Sequence, residues 1–538
     1  AWLLWWAFSI VTLCLFGQLL WTHDLMPAAN GLFSAAATWA DFGLHASLVS
    51  HFAAGAHLSM AQPLAAGTPL TYPFLIDFLS GLLLRGGWTI HAALLIPGLF
   101  LIMAALQLLL GAGVRLFNRI GGAILGLSLM LTCGSAAGFF VAVNDFNASH
   151  QSLAAFLSHL PQDYSKPIQP NAQLINFVSD VLLPQRSFDM GLAVFSVVLV
   201  LAIEARRRAN LKLALAAGGL VGLLPLIHDH SFIMAAATLA AIWIEALITK
   251  RYHHLKIWTL SGIAALIVAA PQILWQALAT GYGSGAHWSL GWVINPGESL
   301  VIFWANNYGI TLLLMVLVAL LLALQRRLRP FLVWYAPAAA VFVLANLYAF
   351  QGYNYDNHKL IMYAYLMTYL FVGYGATWII RRAPAAVIPF SIMVMLAATS
   401  GTLSIAREFQ QHDQFASNDD IALAGWAKRA TPPDTVFFAN DQSNQPLATL
   451  GGRSLVSGYR GWLYSYHIPY NDRIEAIQGA FLGGTTTHNP YHAGYLAVSA
   501  YEPSDWTIDQ AAISHNYTVV YTNPSWTVYR LPDALPHQ

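Results

Sequence analysis

The chain of 538 residues is 57% hydrophobic and only 9% charged, against roughly 25% charged in soluble domains, so water is not its main solvent. Its formal net charge of +1 offers no clustered basic surface for a phosphodiester backbone, which excludes nucleic acid as a partner. The only cysteines, Cys14 and Cys133, lie inside apolar runs, so neither a disulfide framework nor a Cys-based metal site is available.

In chain order, residues 1–20 form an apolar run too long and too aromatic for a signal-peptide core, and read as a first membrane span. Further runs able to cross ~30 Å of hydrocarbon occupy 89–114, 120–143, 187–204, 211–227, 231–249, 257–279, 299–324, 330–350, 360–380 and 384–404. About eleven spans are expected. The apolar stretch 70–85 is short, is preceded by Pro69 and interrupted by Pro73, and carries Asp77, which suits a re-entrant or interfacial helix. Charge placement agrees with that choice, because positive residues are retained in short cytoplasmic loops. With a cytoplasmic N-terminus, one set of loops receives fourteen cations, from Arg115 to Arg382, and the opposite loops before residue 405 receive only Arg85, Lys166, Arg186 and Lys359.

Beyond residue 405 apolar runs shorten, and this tail holds twelve of the chain's twenty-four acids. A capped helix is expected from Asn418 to Arg429, and strands at Thr435–Asn440 and Tyr517–Asn523. The expected fold is therefore an all-α polytopic membrane domain over residues 1–404, whose first outer loop, 21–88, carries interfacial or re-entrant helices. A small extracytoplasmic α/β domain follows over 405–538.

Ten of the twelve acids before the tail fall on the non-cytoplasmic side, where acids at span ends need solvent, partners or a task. Four clusters stand out. Asp41 and His45, four apart at the start of an amphipathic stretch reaching His57, share a helix face and could bind a metal or pass a proton; Asp41 could equally cap an interfacial helix. His228, Asp229 and His230 sit on a tight turn between two spans, either as a functional group or as a hydrogen-bonded turn, with poor spacing for metal ligation. The loop 350–359 is almost wholly polar and ends in Asp356, Asn357, His358 and Lys359. The Lys359 ammonium suits a lipid phosphate or snorkels to the interface. Arg186 could fork onto phosphate oxygens or stand as a loop cation. In the tail, Arg460 and Trp462 lie in an aromatic-rich stretch, fit either for sugar stacking or for packing.

An aspartate in the first outer loop, about eleven spans, long polar outer loops and an outer C-terminal domain together resemble the GT-C superfamily of glycosyltransferases. Within it, the segments TWADFGLHASL, LTYPFLIDFLSGLL, YNYDNHKL and NDQSNQPLATLGGRSLVSGYRGWLYSYHIPY look like a less studied bacterial group of membrane glycosyltransferases. The resemblance implies an enzyme of the bacterial inner membrane that moves a sugar, with inversion, from a polyprenyl-phosphate donor to a protein, lipid or glycan acceptor on the extracytoplasmic face. Asp41, with His45, would be catalytic. Lys359, Arg186, His228 and His230 would hold the donor phosphate, and Asp229, Asp356, Asn357, Arg460 and Trp462 would bind substrate. A divalent cation, magnesium or manganese, is the one cofactor the resemblance raises, yet the adjacent pair of acids found at this place in some members is absent: Asp41 stands between Ala40 and Phe42. Two other classes stay open, a non-catalytic subunit of a larger membrane complex and a transporter. The latter should show broken helices in two matching halves.

Overall fold

A computed structural model describes residues 2–35, 38–55, 59–280, 285–484 and 489–532; His57, the expected end of the amphipathic stretch, lies outside them. The principal helices are α1 (Trp2–His23), α2 (Trp39–Ala54), α3 (Leu75–Arg85), α4 (Ile90–Phe117), α5 (Ile120–Thr132), α6 (Ala136–Ser149), α7 (Arg186–Arg208), α8 (Leu211–Leu223), α9 (Asp229–Ile248), α10 (Tyr252–Thr280), α11 (Leu300–Asn307), α12 (Ile310–Leu324), α13 (Leu332–Ala345), α14 (His358–Ile380), α15 (Val387–Glu408), α16 (Asn418–Ala430) and α17 (Asn471–Phe481).

Among the described residues seven helices are long and apolar enough to cross a membrane: α1, α4, α7, α9, α10, α14 and α15. The pairs α5–α6 and α11–α12 bend by 58° and 100°, and raise the number to nine if each pair is one span. Both bends have local causes. The first falls at Gly134, after which Ser135 caps α6 by accepting the Gly138 N–H. The second falls at Gly309, whose φ of +45° is awkward for any residue with a Cβ. The runs expected at 211–227 and 330–350 form shorter apolar helices, Leu211–Leu226 and Arg329–Ala345, the former ending in a tight turn that contains Pro225. The chain is thus a multi-pass membrane protein.

The chain divides into two compact units. The first comprises residues 1–19, 98–275 and 286–411 and is a helical bundle. Its most enclosed member is α14, in which Tyr363, Tyr365 and Tyr369 are fully buried. The phenols are partnered where they can be: Tyr363 with Ser231 at 2.6 Å and Tyr369 with Thr311 at 2.6 Å.

The second unit comprises residues 20–97, 276–285 and 412–538, so the loop after the first span folds with the tail. A three-stranded antiparallel sheet joins them: β1 (Met26–Ala28) and β2 (Gly31–Ser34) from the loop, and β3 (Asp413–Ser417) from the start of the tail. Leu25, Phe42, Ala46, Val49 and Leu94 share one apolar cluster with Phe415, Ala424 and Leu450. The rest of the tail is a five-stranded mixed sheet of β4 (Val436–Phe438), β5 (Ser454–Leu455), β6 (Ala493–Ser499), β7 (Thr518–Thr522) and β8 (Trp526–Arg530), in the order β5-β4-β6-β8-β7. Helix α16 begins where expected, with Ser417 and Asp420 forming a reciprocal capping box. The expected interfacial helix is α3, only 11 residues long and too short to span ~30 Å.

Candidate functional site

In the first unit the N-terminal ends of α7, α9 and α14 meet. Gly191 makes this possible, because a Cβ there would run into the Ser231 hydroxyl and stand 2.7 Å from the Cβ of His228. Phe188 bridges the three helices, with its ring 5.2 Å from His228 and 5.5 Å from Tyr363. The sequence brings a nitrogen-bearing side chain to each of the three ends: the guanidinium of Arg186 opens α7 and is only 2% exposed, the imidazole of His228 caps α9, and the ammonium of Lys359 is on the second residue of α14. Helix N-termini carry partial positive charge, so the ends reinforce the side chains.

The imidazoles have defined tautomers. His228 Nδ1 accepts the backbone N–H of Ser231 at 3.2 Å, so its ring proton resides on Nε2. His358 donates from Nδ1 to the Tyr355 carbonyl at 2.8 Å, which leaves Nε2 as the nitrogen free to take a proton. The rings of His228 and His230 stand 5.2 Å apart. All three histidines are buried, and among the described residues none of their Nε2 atoms has a hydrogen-bond partner. Buried polar atoms are nearly always satisfied by protein, water or a ligand, so three orphans in one cluster make it a candidate site. Lys359 lies within electrostatic reach of all three and pairs with Asp356 at 3.4 Å.

Of the other residues expected here, Asp229 is exposed in the first turn of α9. Asn357 is buried, and its amide is committed to the Ala345 and Tyr348 carbonyls at 2.9 and 2.8 Å. That makes Asn357 the lock that sets the loop, with the Tyr355 carbonyl also held by the Trp292 indole at 3.1 Å.

A separate group in the same unit joins Asp163, Asp180 and Ser165. Ser165 donates to both carboxylates, at 2.8 and 3.3 Å, and Asp180 also accepts from Asn176 and Ser179. Burial and the charge of Asp163 push the Asp180 carboxyl up to about 7, against the pull of Lys166.

In the second unit Asp41 and His45 lie one turn apart on α2. Asp41 is partly exposed in the first turn. His45 is buried, and its Nδ1 is 2.8 Å from Asp77 Oδ2 on α3. An Nδ1–H donated to that carboxylate fixes the ring and leaves Nε2 as the basic nitrogen. Asp77 was read in the sequence only as an argument against a span, and its separation of 32 residues from His45 hides the pairing from local spacing.

The tail places Arg460 between two carboxylates, donating to Asp441 and, at 2.6 Å, to Asp505. Trp462 is only 7% exposed. A Cβ on Gly43 of α2 would run into the Ser443 carbonyl and come within 2.8 Å of the Trp462 ring, so this indole locks the tail to the loop helix. The exposed ring beside it is Tyr459, edge-on to Trp462 at 5.3 Å.

Among the described residues no three His, Cys, Asp or Glu side chains are grouped to hold a metal ion. With Asp41 flanked by Ala40 and Phe42, the donor set does not fit a divalent cation, and the chemistry below is derived without one.

No family model matches the chain, and no curated protein matches its sequence. Solved structures do match its fold. ArnT from Cupriavidus metallidurans, bound to undecaprenyl phosphate, superposes with a TM-score of 0.52 at 14% identity over 99% of both chains. The Archaeoglobus fulgidus oligosaccharyltransferase in its apo form superposes with a TM-score of 0.54 at 9% identity, over 91% of this chain and 69% of its own. This chain shares the fold of these two proteins. At these identities the likeness speaks for the architecture alone, and the residues that would act must be argued from their own geometry.

Proposed function

We propose that the protein is a membrane glycosyltransferase that moves a sugar from a polyprenyl-phosphate donor to an acceptor hydroxyl on the extracytoplasmic face of a bacterial inner membrane. The observation that carries this reading is the buried trio of unpartnered Nε2 atoms on His228, His230 and His358 beside Lys359. A phosphate oxygen would accept from the Nε2–H of His228 and from His230 in its Nε2–H tautomer, and would pair with His358 where a proton is shared between its Nε2 and the phosphate. That ArnT, with the same fold, binds undecaprenyl phosphate is in keeping with such a ligand. Among the described residues seven helices, or nine with the bent pairs, qualify as spans; we add the two shorter apolar helices to reach eleven and set the N-terminus in the cytoplasm and the tail outside.

In this mechanism the acceptor oxygen attacks the anomeric carbon, the bond from that carbon to the phosphate oxygen breaks, and the configuration inverts. Asp41 takes the hydroxyl proton as general base, while the His45–Asp77 pair one turn away orients that end of α2 and can carry the proton on. The polyprenyl phosphate departs with the electron pair. Lys359, Arg186, the Nε2–H of His228, and His230 stabilise the charge it gains. Asp356 holds Lys359 in place, and Asp229 and Arg460 contact the sugars. Membrane lipids and the donor lipid are the partners this requires, and the acceptor is a glycan, lipid or protein.

The test is transfer from radiolabelled undecaprenyl-phosphate sugars by the purified protein, with Asp41→Asn at matched abundance. Wild-type turnover that falls by ~10²–10⁴-fold in Asp41→Asn is expected for loss of a general base, with undecaprenyl phosphate still bound. Equal turnover in the two proteins would remove Asp41 from the mechanism.

A further inference from the structure

The second unit holds a cavity that the mechanism above touches only through Arg460. Its volume is about 470 Å³, and it is lined by Asp441, Gln442, Asn444, Tyr459, Arg460 and Asp505, with Ser443 and Pro503 completing the wall. That is within the ~300–1,000 Å³ typical of small-ligand sites. Three features restrict what it can hold.

The first is the chemistry of the lining, in which only Pro503 is an apolar side chain. A guanidinium, two carboxylates, two carboxamides and two hydroxyls present donors and acceptors at close intervals. Arg460 spends Nε on Asp441 and Nη2 on Asp505, and its Nη1 makes no hydrogen bond among the described residues. Such planar groups, each able to engage two neighbouring hydroxyls, match a ring bearing several of them. The second is charge. Two carboxylates against one guanidinium leave the cavity with an excess of one negative charge, which repels a phosphate or any other anion.

The third is rigidity. Tyr459 is 42% exposed and its ring is braced edge-on by the buried Trp462, giving a fixed flat face. The loop bearing Pro503 and Asp505 is anchored by Glu502, which accepts from the Asn440 amide and the Ser499 N–H at 2.7 Å each. Its neighbour Ser443 is pressed against Gly43, two residues along α2 from Asp41. The cavity wall is therefore built onto the helix turn that carries the proposed base.

We propose that this cavity is a saccharide subsite that takes a neutral sugar ring of the acceptor. The inference rests on the glycosyltransferase reading and narrows its acceptor to a glycan or glycoconjugate. A ring stacked on Tyr459 would offer its hydroxyls to Arg460, Asp441, Asp505 and Asn444.

The test uses the full chain in nanodiscs, fluorescently labelled and applied to an array of immobilised neutral glycans. Mannose 6-phosphate and an Asn-X-Thr peptide serve as soluble competitors, and undecaprenyl phosphate is titrated separately in the same preparation. Tyr459→Ala and Asp505→Asn change half-exposed side chains and are expected to keep the wild-type melting temperature. Saturable binding of neutral glycans by the wild type is expected, weakened about tenfold or more by either variant, with no competition from mannose 6-phosphate or the peptide. No glycan binding, competition by the phosphate or the peptide, or binding unchanged in both variants would each overturn the subsite. Failure of undecaprenyl phosphate to bind would instead count against the donor reading, so the two are separable.

Discussion

The two units differ in how their unpartnered buried nitrogens are grouped. In the second, His45 is matched with Asp77, and Arg460 with Asp441 and Asp505. Arg453 likewise spends its guanidinium on the Gly451, Ala427 and Thr431 carbonyls, while the Nε2 orphans of His51, His91 and His467 belong to no cluster described above. In the first, three imidazoles at the meeting of α7, α9 and α14 keep orphan nitrogens, although each orphan costs about 1–3 kcal/mol in an apolar setting. Under the function proposed above, the second unit would supply the base and the acceptor subsite, and the clustered nitrogens of the first would receive the leaving phosphate.

The difference can be broken most sharply at Lys359. Replacing it with Gln should weaken undecaprenyl phosphate binding by about 10–100-fold, the scale of a hydrogen bond to a charged group, when titrated by calorimetry in nanodiscs. Lys359→Arg should recover part of that loss, because charge is kept while the point geometry is not. Unchanged affinity in Lys359→Gln would mean that Asp356 is its only business. An intermediate effect is expected from His228→Asn, whose amide oxygen can still accept the Ser231 N–H that α9 needs at its cap while no side-chain atom reaches the Nε2 position. Its binding should fall about tenfold with the melting temperature held. A fall in melting temperature without a fall in affinity would turn the histidine into a cap and nothing more.

In the second unit the matching change is Asp77→Asn. It keeps the shape of the partner but removes the acceptor charge that selects the His45 tautomer, so kcat should fall about tenfold or more while KM for the acceptor stays put. Equal losses in Asp77→Asn and Asp77→Ala, both accompanied by unfolding, would reduce the pair to packing.

Much of this was legible in sequence, and the reason lies in range. Spans, the capped helix at Asn418 and the strands near residues 436 and 518 announce themselves through local composition and periodicity. The cations Arg186 and Lys359 and the histidines 228 and 230 stood out because charge is rare in apolar surroundings. What stayed hidden is long-range. No local signal marks Gly31–Ser34 as the partner of Asp413–Ser417, nor Asp77 as the partner of His45. In sequence Trp462 stands between sugar stacking and packing, because an aromatic-rich stretch carries no sign of which ring faces inward; in the structure it is buried, with Gly43 letting α2 come close. His358 is named with its cluster in sequence but given no role, because spacing does not show that its Nδ1 is committed to the Tyr355 carbonyl.

The smallest expected effect concerns the matched acids of the first unit, and it tests whether that unit's orphans are special. Burial and Asp163 raise the Asp180 carboxyl to about 7, above the ~3.9 of an unfolded aspartate. The folded chain then binds this proton more tightly than the unfolded one. Its contribution to stability is complete below pH ~4 and is lost as pH climbs towards ~7. An amide cannot titrate, but its carbonyl still accepts from Ser165, Asn176 or Ser179. The melting temperature of the wild type should therefore fall between pH 5 and pH 8 by a few °C more than that of Asp180→Asn, the scale of ~1 kcal/mol. Parallel melting curves across that range would mean that Lys166 and the three donors hold Asp180 ionised throughout. The first unit would then contain fully compensated acids alongside its uncompensated histidines, which would isolate the cluster at α7, α9 and α14 still further as a place built for a ligand.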